Sequence, residues 1–284
     1  EGQILVRCNI DKIVKNNSGW KISGIKNKLR MNFETKYLFL CAGSIYTNQL
    51  LIKNKLCSTN AVNSFKFHPM IKVIAEYDKP IQTGRENVHN IQITENYPDF
   101  LIGQAASSYQ FLKFAAYEDK KLLKEIENKW RNMSIYHSTF SIGAGKINKF
   151  LNNKFIYSYK ISDDNINLLK NALSSMVKVI YSSGAKRVYF LGKKITLMDS
   201  NYENIINSNL TKINDFKFSS VHIMGGVKSG EKKSCIVNSF GELKNHKNIF
   251  INDSSLINHK LLKNPQGTTM ALSQRNIKNF LSNV

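Results

Sequence analysis

KYLFLCAGSIYTNQLLIKNKL (residues 36–56) decides how this chain is read. Tyr37–Leu40 is a continuous apolar run of the kind found in a buried central strand. Ala42-Gly43 interrupts it, and Ser44 opens a segment whose Ile45, Leu50, Leu51 and Leu56 suit a helix. A strand passing through Ala-Gly straight into a helix lets backbone or ligand approach closely, and a helix N-terminus favours phosphate. An ordinary strand-to-helix turn accounts for the same residues, so the rest of the chain must decide.

Upstream, residues 3–13 (QILVRCNIDKI) read as a strand, NNSGW as a turn and KISGIK as a further strand. From residue 58 to about 215 the character changes. MIKVIAEY, VHNIQIT and KFIYSYKI are strand-like, while YEDKKLLKEIENKWRNM and SDDNINLLKNALSSMVKVIYSSG are helical. Ser162 or Asp163 caps the second helix at its start and Gly184 at its end. SIGAGKINKF, with Gly143 and Gly145, reads as a loop. Residues 216–284 regain the character of the N-terminal stretch, with NIFIND a short apolar strand ending at Asp253. The last helix starts near Pro265–Thr269, with Met270, Leu272, Ile277, Phe280 and Leu281 on its buried face.

The 284 residues are 42% hydrophobic, enough for one large or two modest cores. No run of about eighteen apolar residues predicts a membrane-spanning helix. The formal charge of +21 could draw nucleic acid or anionic lipid, but the lysines are dispersed. Base-composition bias explains the Lys, Asn and Ile content better, and no nucleic-acid partner is expected. The four cysteines (Cys8, Cys41, Cys57 and Cys235) form no CxxC or zinc spacing, and no metal site is expected. Cys8 and Cys41 read as small buried hydrophobes. This usage fits a reducing compartment such as the cytoplasm.

SSVHIMGGVKSG (residues 219–230) places His222 before a glycine pair. Then follow, in order, Gly230, Ser234-Cys235-Ile236-Val237, Gly241, Asn248-Ile249-Phe250-Ile251-x-Asp253-x-Ser255 and Asn264-Pro265-x-x-Thr268-x-Met270-Ala271-Leu272. This ordered set resembles the signature of the glucose–methanol–choline (GMC) flavoenzyme family. YLFLCAGSIYTNQLLIKN and FKFHPMIKV resemble two earlier segments of that family. Gly226, Ser229 and Val237-Asn238 stand where the family has Thr, Met and Val-Asp. Its dinucleotide fingerprint is not found, so the chain resembles a C-terminal half.

The resemblance implies an α/β fold. A partial FAD-binding, Rossmann-like domain (1–56 and 216–284) would carry an inserted α+β sheet-plus-helix substrate domain (57–215). It implies FAD as cofactor and oxidation of an alcohol, a sugar or polyol among the candidates, with the electron acceptor left open. A fragment inactive without its N-terminal half is expected. His222 would be the base and Asn264 the residue that orients the substrate oxygen. Ala42, Gly43 and Asp253 would lie along FAD, with Ile10, ending its strand, at the adenine. Asn264, Pro265 and Thr268 would open the last helix at the flavin. The remaining histidines, His68, His89, His137, His246 and His259, carry no comparable support. Two alternatives are a non-catalytic or split subunit, and a basic nucleic-acid or membrane-surface module.

Overall fold

In the computed structural model, which describes residues 2–82, 91–150, 154–259 and 261–284, residues 36–56 form a short strand followed by a helix. The strands in chain order are β1 (Cys8–Asn16), β2 (Gly19–Lys26), β3 (Leu29–Thr35), β4 (Leu38–Leu40), β5 (Ser64–Phe67), β6 (Met70–Tyr77), β7 (Gln92–Ile93) and β8 (Phe100–Gln104). They continue with β9 (Met133–Phe140), β10 (Ala144–Lys149), β11 (Phe155–Lys160), β12 (Ala185–Leu191), β13 (Ile195–Met198), β14 (Ile223–Met224) and β15 (Ile249–Ile251). The helices are α1 (Gly43–Lys53), α2 (Tyr109–Ala115), α3 (Lys120–Lys129), α4 (Ile166–Ser182), α5 (Tyr202–Asn209) and α6 (Gln266–Leu281). The chain is of mixed helix-and-sheet class, and its contacts divide it into two compact units.

The first unit comprises residues 1–67, 144–160 and 222–284. β1, β2 and β3 form an antiparallel meander. Its second turn is a two-residue hairpin with Asn27 and Lys28 both at positive φ, the twist a tight hairpin demands. β1 begins at Cys8 rather than near residue 3, because Arg7 is in the left-handed region and breaks the extended run. β4 pairs in parallel with β15, Leu38 to Ile249 through Leu40 to Ile251. Phe39 stacks on Phe250 at 4.8 Å, and Phe280 of α6 meets both rings edge-on. Leu51 and Ile52 of α1 join Trp20, Leu40, Ile249 and Ile251 in the core.

SIGAGKINKF is not a loop: residues 144–149 within it are β10, in a four-stranded sheet of order β11–β10–β5–β14. Gly145 makes this possible, since a Cβ there would lie 2.5 Å from the Phe65 ring on β5. That sheet draws residues 64–67 and 144–160 into the first unit, whereas the sequence groups 57–215 together. α6 also departs from its apolar pattern. Met270 and Leu281 are exposed, and the one fully buried helix residue is Asn276, whose Nδ2 donates to Asn252 Oδ1 at 3.1 Å.

The second unit comprises residues 68–143 and 161–221. Its antiparallel sheet has the order β13–β12–β6–β9–β8–β7. α4 packs its Leu169, Leu173, Met176 and Val177 on one face against Ile71, Val73, Phe140 and Phe190. α2 and α3 cover part of the other, where Leu112, Leu122 and Ile126 meet Ile74, Met133 and Ile135. Ser162 caps a single 3₁₀ turn before α4, and Gly184 follows the helix at φ +91°. In VHNIQIT only Gln92–Ile93 is a strand; Val88, His89 and Asn90 lie outside the described residues.

Candidate active site

Asp253 is buried just beyond the end of β15, and its carboxylate organises the strand-to-helix turn. Oδ2 accepts the Gly43 N–H at 2.9 Å and the Thr47 hydroxyl at 2.5 Å, while Oδ1 accepts the Ser255 N–H at 2.8 Å. The anion at the start of α1 is therefore this side chain, which suits the positive end of a helix. Asp253 and Gly43, chosen from the sequence as cofactor neighbours, are bonded to each other.

Ile10 and Ala42 meet elsewhere in the same unit, in the walls of a cleft of about 940 Å³. Cys8, Leu40, Tyr46 and Lys53 line it with them. Ile10 sits near the start of β1, not at its end. Cys41 is exposed in the cleft wall rather than buried, because the chain turns out of β4 just before it. Its thiol is nonetheless pushed up to about 11 by the protein packed around it and by the Asp253 carboxylate. The walls are mostly apolar, with two amides (Asn9 and Gln49), a carboxylate (Asp11) and an ammonium (Lys53) among them. That volume and lining suit a small-molecule pocket, which spans roughly 300–1,000 Å³.

His222 immediately precedes β14, which pairs with β5 (Ile223 to Phe67, Met224 to Lys66). Gly225 N–H donates to Ser254 O and Val227 N–H to Ser255 O, both at 3.0 Å. Ser254 Oγ donates to Ile223 O at 3.2 Å. Between them Gly226 is held at φ +112°, where a side chain would collide with Asn48. Asn258 completes the clamp: its Oδ1 accepts from Gly226 N–H at 3.1 Å and its Nδ2 donates to Val227 O at 2.6 Å. The His222 imidazole is half-buried, and burial lowers its proton affinity below the ordinary histidine value.

Asn264 is exposed two residues before α6, and its Oδ1 accepts the N–H of Gln266, the first residue of the helix, at 2.9 Å. Pro265 is buried and Thr268 exposed. α6 is tied back by Ser273 Oγ to Asn252 O at 3.3 Å and by Asn276 to Asn252. The elements carrying His222 and Asn264 thus both attach to Asn252–Ser255. Asn48 and Asn258 are not site residues that the sequence singles out; polar side chains at these positions carry no motif, and only the glycine pair that packs beside them gives a signal. Among the described residues no three His, Cys, Asp or Glu side chains gather to hold a metal ion, and no helix is long and apolar enough to cross a membrane.

Residues 147–273 match the model of the family described as GMC oxidoreductase. An uncharacterized GMC-type oxidoreductase of Sinorhizobium fredii is 22% identical over 292 residues, covering 96% of this chain and 56% of its own length. The fold is similar to that of pyridoxine 4-oxidase from Mesorbium loti, with a TM-score of 0.71 at 10% identity, covering 98% of this chain and 58% of that one. The chain spans just over half the length of both.

Proposed function

With a GMC oxidoreductase C-terminal region recognised in this chain, we propose that the protein containing it is an FAD-dependent oxidoreductase acting on the CH–OH group of a small alcohol, sugars and polyols included. The observation that carries this reading is the attachment of the elements bearing His222 and Asn264 to the Asn252–Ser255 segment. FAD, when bound, accepts the hydride from the alcohol carbon.

The chain's own part is to hold the cofactor and handle the proton. Ile10 and Ala42 receive the adenosine end in the cleft, while Gly43 and Asp253 fix the turn that shapes its wall. His222 takes the proton from the substrate hydroxyl, a role that needs a neutral imidazole. Burial favours that form at neutral pH. Asn264 spends its Oδ1 on the Gln266 N–H, which leaves its amide N–H groups to hold the substrate oxygen. Pro265 and Thr268 place the positive end of α6 behind it, where negative charge is stabilised.

A second reading has one observation in its favour. The β4–β15 sheet contains only two strands, and the outer edge of β4 is unpaired among the described residues. An exposed parallel edge calls for covering protein. On that reading the chain binds FAD only together with further protein. The test is to load the protein containing this chain with FAD, remove oxygen, and add a panel of alcohols, sugars and polyols while following visible flavin absorbance. Bleaching by any of them supports the first reading. A chain that stays colourless alone and turns yellow with added N-terminal protein supports the second. No flavin binding under either condition overturns both.

A further inference from the structure

Within the second unit, α4 packs chiefly over β12 and β9, which leaves a pocket of about 240 Å³ between its last turn and the β7–β8 edge of the sheet. The register builds the floor. Ile93 on β7 lies across from Ile102 on β8, and Gln104, two residues on, lies across from Tyr136 on β9. Ser138, the β9 partner of Ile102, turns its hydroxyl to Met176 of α4, so these side chains share the face that α4 covers. Val179 and Ile180 of α4 form the facing wall. At the rim Val179 is 39% exposed, and Ile91, just before β7, is 80% exposed.

Two chains of hydrogen bonds fix which polar groups remain to the pocket. Ser183 Oγ donates to Ile180 O at 2.7 Å, so the Tyr77 hydroxyl, 3.1 Å away, donates to Ser183. Tyr136, at 2.9 Å, then donates to Tyr77, and its proton is committed. In the second chain Ser107 Oγ donates to Ala105 O at 2.7 Å, so Ser134 Oγ, 3.1 Å away, donates to Ser107. Having given its only proton, Ser134 accepts from Gln104 Nε2 at 2.6 Å. That sets the orientation of the Gln104 amide. Its Oε1 is left as an acceptor with no hydrogen-bond partner among the described residues. No charged side chain lines the pocket among the described residues. An ion would lose hydration there without gaining a counter-charge.

We propose that this pocket binds a small uncharged ring compound carrying one O–H or N–H donor, of which phenol is the simplest, with the ring against Ile93, Ile102 and Ile180 and the donor on Gln104 Oε1. An apolar cavity of about 150 Å³ already holds benzene, so a substituted ring has room. The apolar walls supply the affinity by taking the ring out of water, and the amide oxygen supplies orientation. All these residues belong to the second unit. The inference uses none of the groups assigned to cofactor or proton handling and does not rest on the oxidation proposed above.

The test uses the whole chain with carbon-13 in its isoleucine δ1 methyl groups, titrated with phenol and separately with benzene and with sodium benzoate. Phenol should shift the Ile93, Ile102 and Ile180 methyls saturably. Benzene should bind the same place about five-fold more weakly for want of the hydrogen bond, and benzoate should leave these methyls unmoved. Gln104→Met should bring phenol down to the level of benzene. Val179→Trp, which fills the pocket from its exposed rim, should abolish binding of both. The methyls of Ile71 and Ile74, buried in the same sheet, report that each variant is folded. Phenol shifts that fail to saturate, or that appear equally at Ile249 and Ile251 of the first unit, overturn the proposal. So do equal responses to benzoate and phenol, or phenol binding undiminished in Val179→Trp. A phenol preference that survives in Gln104→Met overturns the assigned donor contact.

Discussion

Gly226 shows how one residue couples packing to chemistry. Its φ of +112° and the close approach of Asn48 Nδ2 and the Ser64 carbonyl leave no space for a side chain. Gly226→Thr, which restores the residue typical of the resembling family, should destabilise the chain by roughly 2 kcal/mol or more, read as a lowered denaturation midpoint. Asn48→Ala in the same background should recover part of that loss. At the neighbouring His222, burial holds the imidazole pKa below the ordinary value of about 6.5. Protonation is disfavoured in the fold, so this group's contribution to stability is full above the unfolded value and is lost as pH falls through the folded one. The same sign governs catalysis. A pH–rate profile should show activity rising with pH on an acid limb centred below about 6.5, and that limb should vanish in His222→Gln. The proposal of His222 as a site residue comes from the sequence, where ordered neighbours frame it. That of Asn48 and Asn258 does not, since their value lies in two glycines that come near them only after folding.

Buried polar side chains decide matters again at the scale of elements. The apolar spacing of α6 points to Met270 and Leu281 as buried, yet the helix docks through Asn276 and Ser273 onto the polar end of β15. Asn276→Ala should cost about 1–3 kcal/mol, the penalty for orphaning its partners. Met270→Ala should stay within about 0.5 kcal/mol. Periodicity is right at Leu272, which packs on the core, and at Phe280, which meets Phe39 and Phe250; it misses at Asn276 and Ser273, because it counts hydrophobic residues and the surface beside these two offers carbonyl and amide groups. It fails at β10 for the opposite reason: two glycines look like a loop until the Phe65 ring fills the space above one of them. It succeeds on MIKVIAEY, which is β6 residue for residue, because a central strand buried on both faces is apolar almost throughout.

Across the whole molecule, each compact unit holds a buried carboxylate within its apolar core, Asp253 in the first and Glu76 in the second. In the second, burial raises the Glu76 carboxyl, and hydrogen bonds and charge from Arg187 and Lys129 more than reverse that, holding it below the usual range. Arg187→Ala would leave a nearly inaccessible carboxylate with the Lys129 ammonium alone and one oxygen unpartnered, at a cost of about 1–3 kcal/mol. Hydrogen exchange should show the lost protection concentrated in β6, β9 and β12, with β1–β3 unchanged. The Glu76 contribution is present above the unfolded pKa and is lost as pH falls through the lowered folded one. The first unit gathers three separate stretches of chain around β4 and β15, and it holds every residue proposed for cofactor and proton handling. The most direct measurement is the rate at which an alcohol bleaches bound flavin in the absence of oxygen, compared between the native protein and His222→Ala. The account predicts a slowing of about 10²–10⁴-fold with flavin still bound. Equal rates in the two proteins would contradict it.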